Sequence, residues 1–158
     1  MILRDAVPED RALLERFTIA LQDFEREREP NRRPGAEMAA EHIDALDAWA
    51  DASPVSAHLI AEIDAVPAGW LFFAVYEEEE KITPEETRAS GSISALWVEP
   101  EFRRQGIASA LIAEAEARMR DAGLKRVEIG AIVSNRRAID LYRRLGFSDY
   151  QLSLGKQL

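Results

Sequence analysis

The sequence predicts an α/β fold, with strands and helices in the order β-α-α-β-β-β-α-β-α-β. Three observations carry this. Apolar runs of strand length, rich in β-branched and aromatic residues, fall at 55–63, 68–76, 88–98 and 127–133. Apolar stripes at helical spacing fall at 8–25, 36–51, 107–122 and 135–145. Pro and Gly punctuate the joints between them.

In chain order, residues 2–7 read as a short first strand. Pro8, Glu9 and Asp10 then open a helix, since Pro suits a first turn and early carboxylates suit the helix dipole. Leu13, Leu14, Phe17, Leu21 and Phe24 form its apolar stripe, and the helix ends within 25–29. The turn chemistry at 30–35 (Pro, Asn, Arg, Arg, Pro, Gly) cannot continue it. The second helix carries Met38, Ala39, His42, Ile43, Leu46 and Trp49 at helical spacing, and Ser53 and Pro54 break it. The runs 55–63 and 68–76, joined by a turn at 64–67, read as an antiparallel hairpin. The acidic stretch 77–87 reads as an exposed loop. A strand at 88–98, a turn and a helix to 122 follow, with Gly123 as the stop. The strand 127–133 leads to a helix capped by Ser134 or Asn135 and closed by Gly146 after residue 145. Residues 150–154 read as a final strand.

The chain has 158 residues, 47% of them hydrophobic, which suits one domain spanning 1–158. No apolar run approaches the ~18 residues of a membrane span, and the N-terminus lacks the basic-then-apolar layout of a secretory signal. There are no cysteines, which excludes disulfides and fits a reducing cytoplasm, the expected location. His42 and His58 form no ligand pattern, so no metal is expected. Net charge is −9, but residues 103–144 hold ten basic residues against five acidic ones. That segment nets +5 and leaves −14 for the remainder. An acidic total without a continuous basic stripe disfavours nucleic acid.

The basic segment begins with Arg103, Arg104, Gln105, Gly106, Ile107, Ala108 and Ser109, between a strand and a helix. The first N–H groups of a helix have no intrahelical partner and carry partial positive charge, so such a turn is an anion site. Gly106 lets backbone approach a phosphate where a Cβ would intrude. The Lys-Ser/Thr ending of a P-loop and the three glycines of a dinucleotide fingerprint are both absent. The pattern present is Arg/Gln-x-x-Gly-x-Gly/Ala at Arg103, Gly106 and Ala108, preceded by Leu96, Trp97, Val98, Glu99, Pro100, Glu101 and Phe102. One helix and one strand later come Asn135, Ala138, Leu141, Tyr142, Leu145, Gly146 and Phe147 in a fixed spacing.

Together these motifs resemble the GNAT superfamily of acyl-CoA-dependent N-acyltransferases, closely over 88–150 and more loosely over the whole chain. The resemblance implies a mixed central sheet flanked by helices and an N-acetyltransferase that uses acetyl-CoA as acyl donor to a primary amine. It implies that backbone of Leu96, Trp97 and Val98 pairs with the pantetheine arm and supplies an oxyanion donor. The turn from Arg104 to Ser109 would take the pyrophosphate, and Asn135 would hold the arm. Asn135 equally suits a helix N-cap, and both roles are compatible. Arg136, Arg137 and Arg144 are candidates for the terminal phosphates or for a solvated helix face. Tyr142 would protonate the departing thiolate, a role its phenol suits at neutral pH.

The general base is left open. Some relatives carry a glutamate where this chain has Ser92, and Ser94 lies two residues on; Glu128 and Glu62 are weaker candidates. The acceptor is expected to be a small cationic amine in a ternary complex, drawn by Glu25, Glu27, Glu29, Glu37 and the run 77–80. Arg26, Arg28, Arg32 and Arg33 lie in the same region and suit an acceptor carboxylate instead. A protein or peptide acetyltransferase and a non-catalytic acyl-CoA-binding regulatory domain are the rival readings. A homodimer is expected, with Trp70, Phe72 and the final strand read as sheet-edge surface to be covered.

Overall fold

In the computed structural model, which describes residues 1–77 and 84–156, a five-stranded sheet runs β1-β2-β3-β4-β5. The strands are β1 (Ile2–Asp5), β2 (Ala57–Ile63), β3 (Val66–Glu77), β4 (Ala89–Val98) and β5 (Val127–Ile129). Neighbours pair antiparallel except β4 and β5, which are parallel and joined through a helical crossover. The helices are α1 (Arg11–Arg26), α2 (Ala39–Ala52), the single turn α3 (Glu85–Arg88), α4 (Ile107–Asp121) and α5 (Arg136–Arg144). Nine elements of the expected order are present, in a mixed sheet with helices on both faces.

Alternation along the strands builds two cores. Ile60, Trp70, Phe72, Ala74, Ala95 and Trp97 face α1 and α2, where they meet Leu14, Phe17, Ile43 and Leu46. Leu59, Ala61, Leu71, Phe73 and Ile93 face α4, where they meet Ile107, Leu111, Ile112, Ala115 and Met119. Each Leu, Ile, Phe or Met among them contributes about 1.5–3 kcal/mol when removed from water, and each alanine less. The predicted stripe of α1 is therefore its packing face, with Leu13, Leu21 and Phe24 at the margin. Asp64 and Ala65, both left-handed, make the two-residue turn of the β2–β3 hairpin. Arg4 ties three elements, with Nη1 2.6 Å from Asp10 Oδ2 and Nε 2.7 Å from Glu62 Oε1.

Both C-terminal stops close as Schellman motifs. The N–H groups of Gly123 and Leu124 reach the carbonyls of Arg120 and Met119. Those of Gly146 and Phe147 reach Arg143 and Tyr142. The second motif brings the Phe147 ring to 6.1 Å from that of Tyr142, the apolar contact that usually accompanies this bond pattern.

Four expectations need correction. The strand expected over 127–133 ends at Ile129; a turn begins instead, with the Ile132 carbonyl accepting from the Asn135 N–H at 2.8 Å. Residues 150–154 form no strand: a three-residue β5 offers too little edge, and Tyr150, Leu152 and Leu154 are 64%, 68% and 86% exposed. Trp70 and Phe72 are not edge surface but fully buried on the central strand β3. The loop expected over 77–87 includes α3, and residues 78–83, with most of the acidic run, lie outside the described residues.

Candidate functional site

The site follows from the unequal lengths of β4 and β5. They pair only from Gly91 to Ile93, opposite Val127 to Ile129. Beyond that β4 continues to Val98, while the other chain turns toward α5. A groove opens where the ladder stops. At its inner end β4 is bulged: Phe72 and Phe73 pair with Ala95 and Ile93, leaving Ser94 as the extra residue.

A cleft of about 580 Å³ occupies the groove. Leu96, Trp97 and Val98 form its floor; Arg103, Arg104, Gly106, Ile107, Ala108 and Ser109 form one end; Asn135 and Tyr142 form the wall from α5. Of the sequence-selected residues only Gln105 stays out, its amide nitrogen donating to the Glu101 carbonyl at 3.3 Å. Ile107 is buried in the α4 core, so backbone is its contribution here. Among the described residues, the N–H groups from Arg104 to Ser109 have no backbone acceptor; the first helical bond runs from Ala110 N–H to the Gly106 carbonyl. Gly106 has φ +83° and nothing within 4 Å of where a Cβ would stand. Glycine is at ease there, and the space above it is open.

Among the described residues, six arginines line the cleft (Arg28, Arg103, Arg104, Arg136, Arg137 and Arg144) and no carboxylate does. Arg103 is partly committed to the protein. Its Nε donates to the Val98 carbonyl at 2.9 Å, and its guanidinium stands 4.7 Å from the Trp97 ring. Burial, and then the like charge of Arg137, hold it below the usual arginine range. An anion placed here relieves that crowding. Asn135 caps α5, its Oδ1 accepting from Ala138 N–H at 3.4 Å.

Tyr142 stands where this cleft meets a smaller chamber of about 50 Å³. Burial, and then the charge of Glu25, push its phenol up to about 12, so it remains a proton donor at neutral pH. Of the four base candidates only Ser94 lines the chamber. Glu62 is bound to Arg4, Glu128 lies 3.1 Å from Arg126 Nη2, and Ser92 lies opposite Glu128 in the ladder. Arg118, one of the segment's arginines, pairs with Glu114 and Asp5, away from the cleft.

The sequence places Leu21 and Phe24 in a packing stripe and Glu25 and Arg28 near the acceptor; the structure brings all four, from α1 and the residues just after it, to the two cavities. Leu21, Phe24 and Arg28 roof the cleft, and Leu21 and Glu25 line the chamber. The available signal for this was Glu25 itself, a carboxylate four residues after Leu21 and so on the apolar face of the helix. Among the described residues no helix is long and apolar enough to cross a membrane, and no group of three or more His, Cys, Asp or Glu is arranged to hold a metal ion.

The model of the acetyltransferase (GNAT) family matches residues 18–147, and the chain belongs to that family, whose acyl donor is acetyl-CoA. It is 32% identical over 96 residues to an uncharacterised N-acetyltransferase of Methanocaldococcus jannaschii, a match covering 61% of this chain and 41% of that protein. The matched part spans less than half the length of the curated relatives. A GCN5-related N-acetyltransferase from Ralstonia eutropha superposes with a TM-score of 0.75 at 25% identity, covering 99% of this chain and 97% of that one. AAC(6')-Iy, in complex with the bisubstrate analogue CoA-S-monomethyl-acetylneamine, has the same fold with a TM-score of 0.74 at 16% identity, covering 99% and 97%.

Proposed function

We propose that this chain transfers the acetyl group of acetyl-CoA to a primary amine of a small molecule, by direct attack in a ternary complex. The observation that carries the reading is the meeting of two cavities at Tyr142. Among the described residues, one is lined by six arginines and free backbone N–H groups, and the other has Glu25 as its single carboxylate. An anionic donor and a cationic acceptor would thus be drawn to opposite sides of one phenol.

The residues fit the donor. The N–H groups from Arg104 to Ser109 would hold its pyrophosphate, and Arg136, Arg137 and Arg144 lie near enough to the same cleft to take further phosphate charge. The unpaired edge of β4 from Ser94 to Val98 would accept the pantetheine arm, with an N–H there facing the acyl oxygen. The amide of Asn135 would hold the arm from the other side. The thioester supplies an acetyl group with a thiolate leaving group; the Tyr142 hydroxyl would donate the proton that the sulfur needs as the C–S bond breaks.

The same reading includes a single domain over 1–158, a cytoplasmic location, no nucleic-acid or membrane partner, and a homodimer. The exposed Tyr150, Leu152 and Leu154 support the dimer, as alternating apolar side chains beside a short sheet edge. A sedimentation mass independent of micromolar concentration and equal to one chain overturns it. The central experiment is release of free thiol from acetyl-CoA in the presence of spermidine, kanamycin, glycine or a tetrapeptide. Thiol release that depends on spermidine or kanamycin is expected. Release only with the tetrapeptide replaces the small-molecule reading, and no thermal stabilisation by CoA removes the donor assignment.

A further inference from the structure

Glu25 sits in the last turns of α1, and its side chain reaches the chamber beneath Tyr142. Among the described residues the other walls there are neutral, including Ser94 from β4, Ile129 from β5, and Gly130 and Asn135 beyond it. The ionic partner of Glu25 is Arg32, whose Nη1 is 2.8 Å from Oε2 and also donates to Gln22 Oε1 at 3.2 Å. Arg32 belongs to the connector between α1 and α2, which folds back on α1 through the bond from Arg26 Nε to the Arg32 carbonyl. A guanidinium on a surface connector thus fills the cation position of a half-buried carboxylate facing the expected acid.

We propose that Glu25 receives the acceptor amine and takes its proton, and that Arg32 holds the amine's place until it arrives. The inference rests on the acyl-transfer reading above and adds to it the missing base. Glu25 would bind the ammonium form first, and the ammonium would lose one proton to solvent. The neutral nitrogen then attacks the acyl carbon. As the C–N bond forms and the C–S bond breaks, Glu25 takes the remaining surplus proton from nitrogen and Tyr142 gives its proton to sulfur. Transfer of the proton from Glu25 to the Tyr142 phenolate, directly or through water, restores both groups. The products are the amide and free CoA thiol.

The electrostatics suit this assignment. Burial raises the Glu25 carboxyl and Arg32 pulls it partly back. A raised carboxyl is a better base near neutral pH. The groups that face it are Arg32 from the connector and the neutral Tyr142 from α5; β4 and β5 present no charge to the chamber.

Glu25→Gln, Glu25→Asp and Arg32→Gln separate the roles, assayed with acetyl-CoA and whichever of spermidine, kanamycin, glycine or a tetrapeptide the wild type turns over fastest. Glu25→Gln is expected to lower kcat by roughly 10²–10⁴ and to remove the carboxyl's acidic limb from the pH profile, leaving the rise that follows the amine's own titration. Stabilisation by CoA should be unchanged, and Glu25→Asp should restore part of the rate. Arg32→Gln is expected to move the acidic limb to higher pH and to lower KM for a cationic acceptor. Wild-type turnover and an unaltered limb in Glu25→Gln overturn the proposal. If no amine is turned over although CoA stabilises the protein, the function proposed above fails on its own. The Glu25 carboxyl carbon resonance in the CoA complex then decides: a shift on adding 1,3-diaminopropane, enlarged in Arg32→Gln, upholds the amine site, and no response overturns it.

Discussion

Gly35 lies flat against the backbone of Ile19, so that a Cβ built on it would stand 2.7 Å from both the Ile19 Cα and its carbonyl oxygen. The Gly35 N–H also donates to Asp23 Oδ1 at 2.8 Å. These two contacts fasten the connector carrying Arg32 to the middle of α1. Because the near atoms are backbone, they cannot swing aside. Gly35→Ala is expected to cost about 1–3 kcal/mol and to lower Tm by about 2–10 °C in a chain of this size. A thermal melt checks it; an unchanged Tm would mean that the connector does not need this contact.

Gly106→Asp probes the donor turn. No atom lies within 4 Å of the new Cβ, so the fold meets no clash. The cost to the fold is the left-handed backbone, about 1–2 kcal/mol, partly offset because the carboxylate is favourable at the N-cap of α4; it is the competing charge on the free N–H groups that should exclude phosphate. The variant should fold and lose stabilisation by CoA. Retained CoA stabilisation moves the phosphate site elsewhere.

Tyr142→Phe removes one hydroxyl and keeps the ring against Phe147. Turnover is expected to fall by about 10²–10⁴, with CoA stabilisation within error of wild type. Wild-type turnover would assign the ring to packing alone.

Acid should weaken the fold before it titrates most carboxylates. His58 Nδ1 accepts from Trp70 Nε1 at 3.1 Å, and burial holds the imidazole below its usual pKa against the opposing pull of Asp47. His42 is also lowered by burial. The unfolded chain therefore binds more protons than the native one as pH falls through the unperturbed value near 6.5. Stability is full above that value and is lost as pH falls toward the depressed native pKa. Tm should be lower at about pH 5.5 than at about pH 7.5, and His58→Gln should narrow the gap. A gap unchanged in the variant excludes His58 as its source.

Much of the site was legible because it is local. Gly106 and the helix after it are contiguous in sequence, so spacing alone defines the anion turn. Gly123 and Gly146 were readable as stops for the same reason. What failed was set by the distant course of other strands. Residues 127–133 alternate as a strand should, yet β5 ends at Ile129 because the chain must leave β4 to open the groove. Tyr150, Leu152 and Leu154 alternate equally well and find no edge. Trp70 and Phe72 carry no sign in their own residues of whether β3 is central or peripheral. Glu25 shares the apolar face of α1 with Leu21, but so many carboxylates surround it in sequence that its particular role follows from the packing of α1 over the chamber.

The bulge at Ser94 makes β4 count differently on its two halves. Ile93 belongs to the α4 core, whereas Ala95 and Trp97, two and four residues on, belong to the core beneath α1 and α2. The extra residue inverts the parity of the strand. Loss of the Ser94 codon would leave Ile93 opposite Phe73 and Ala95 opposite Phe72, so Leu96 and Trp97 would keep the cores they have. Only the bulge and the extra local twist it gives β4 at the mouth of the groove would go. A deletion at position 94 should therefore spare both cores and be felt at the cleft alone.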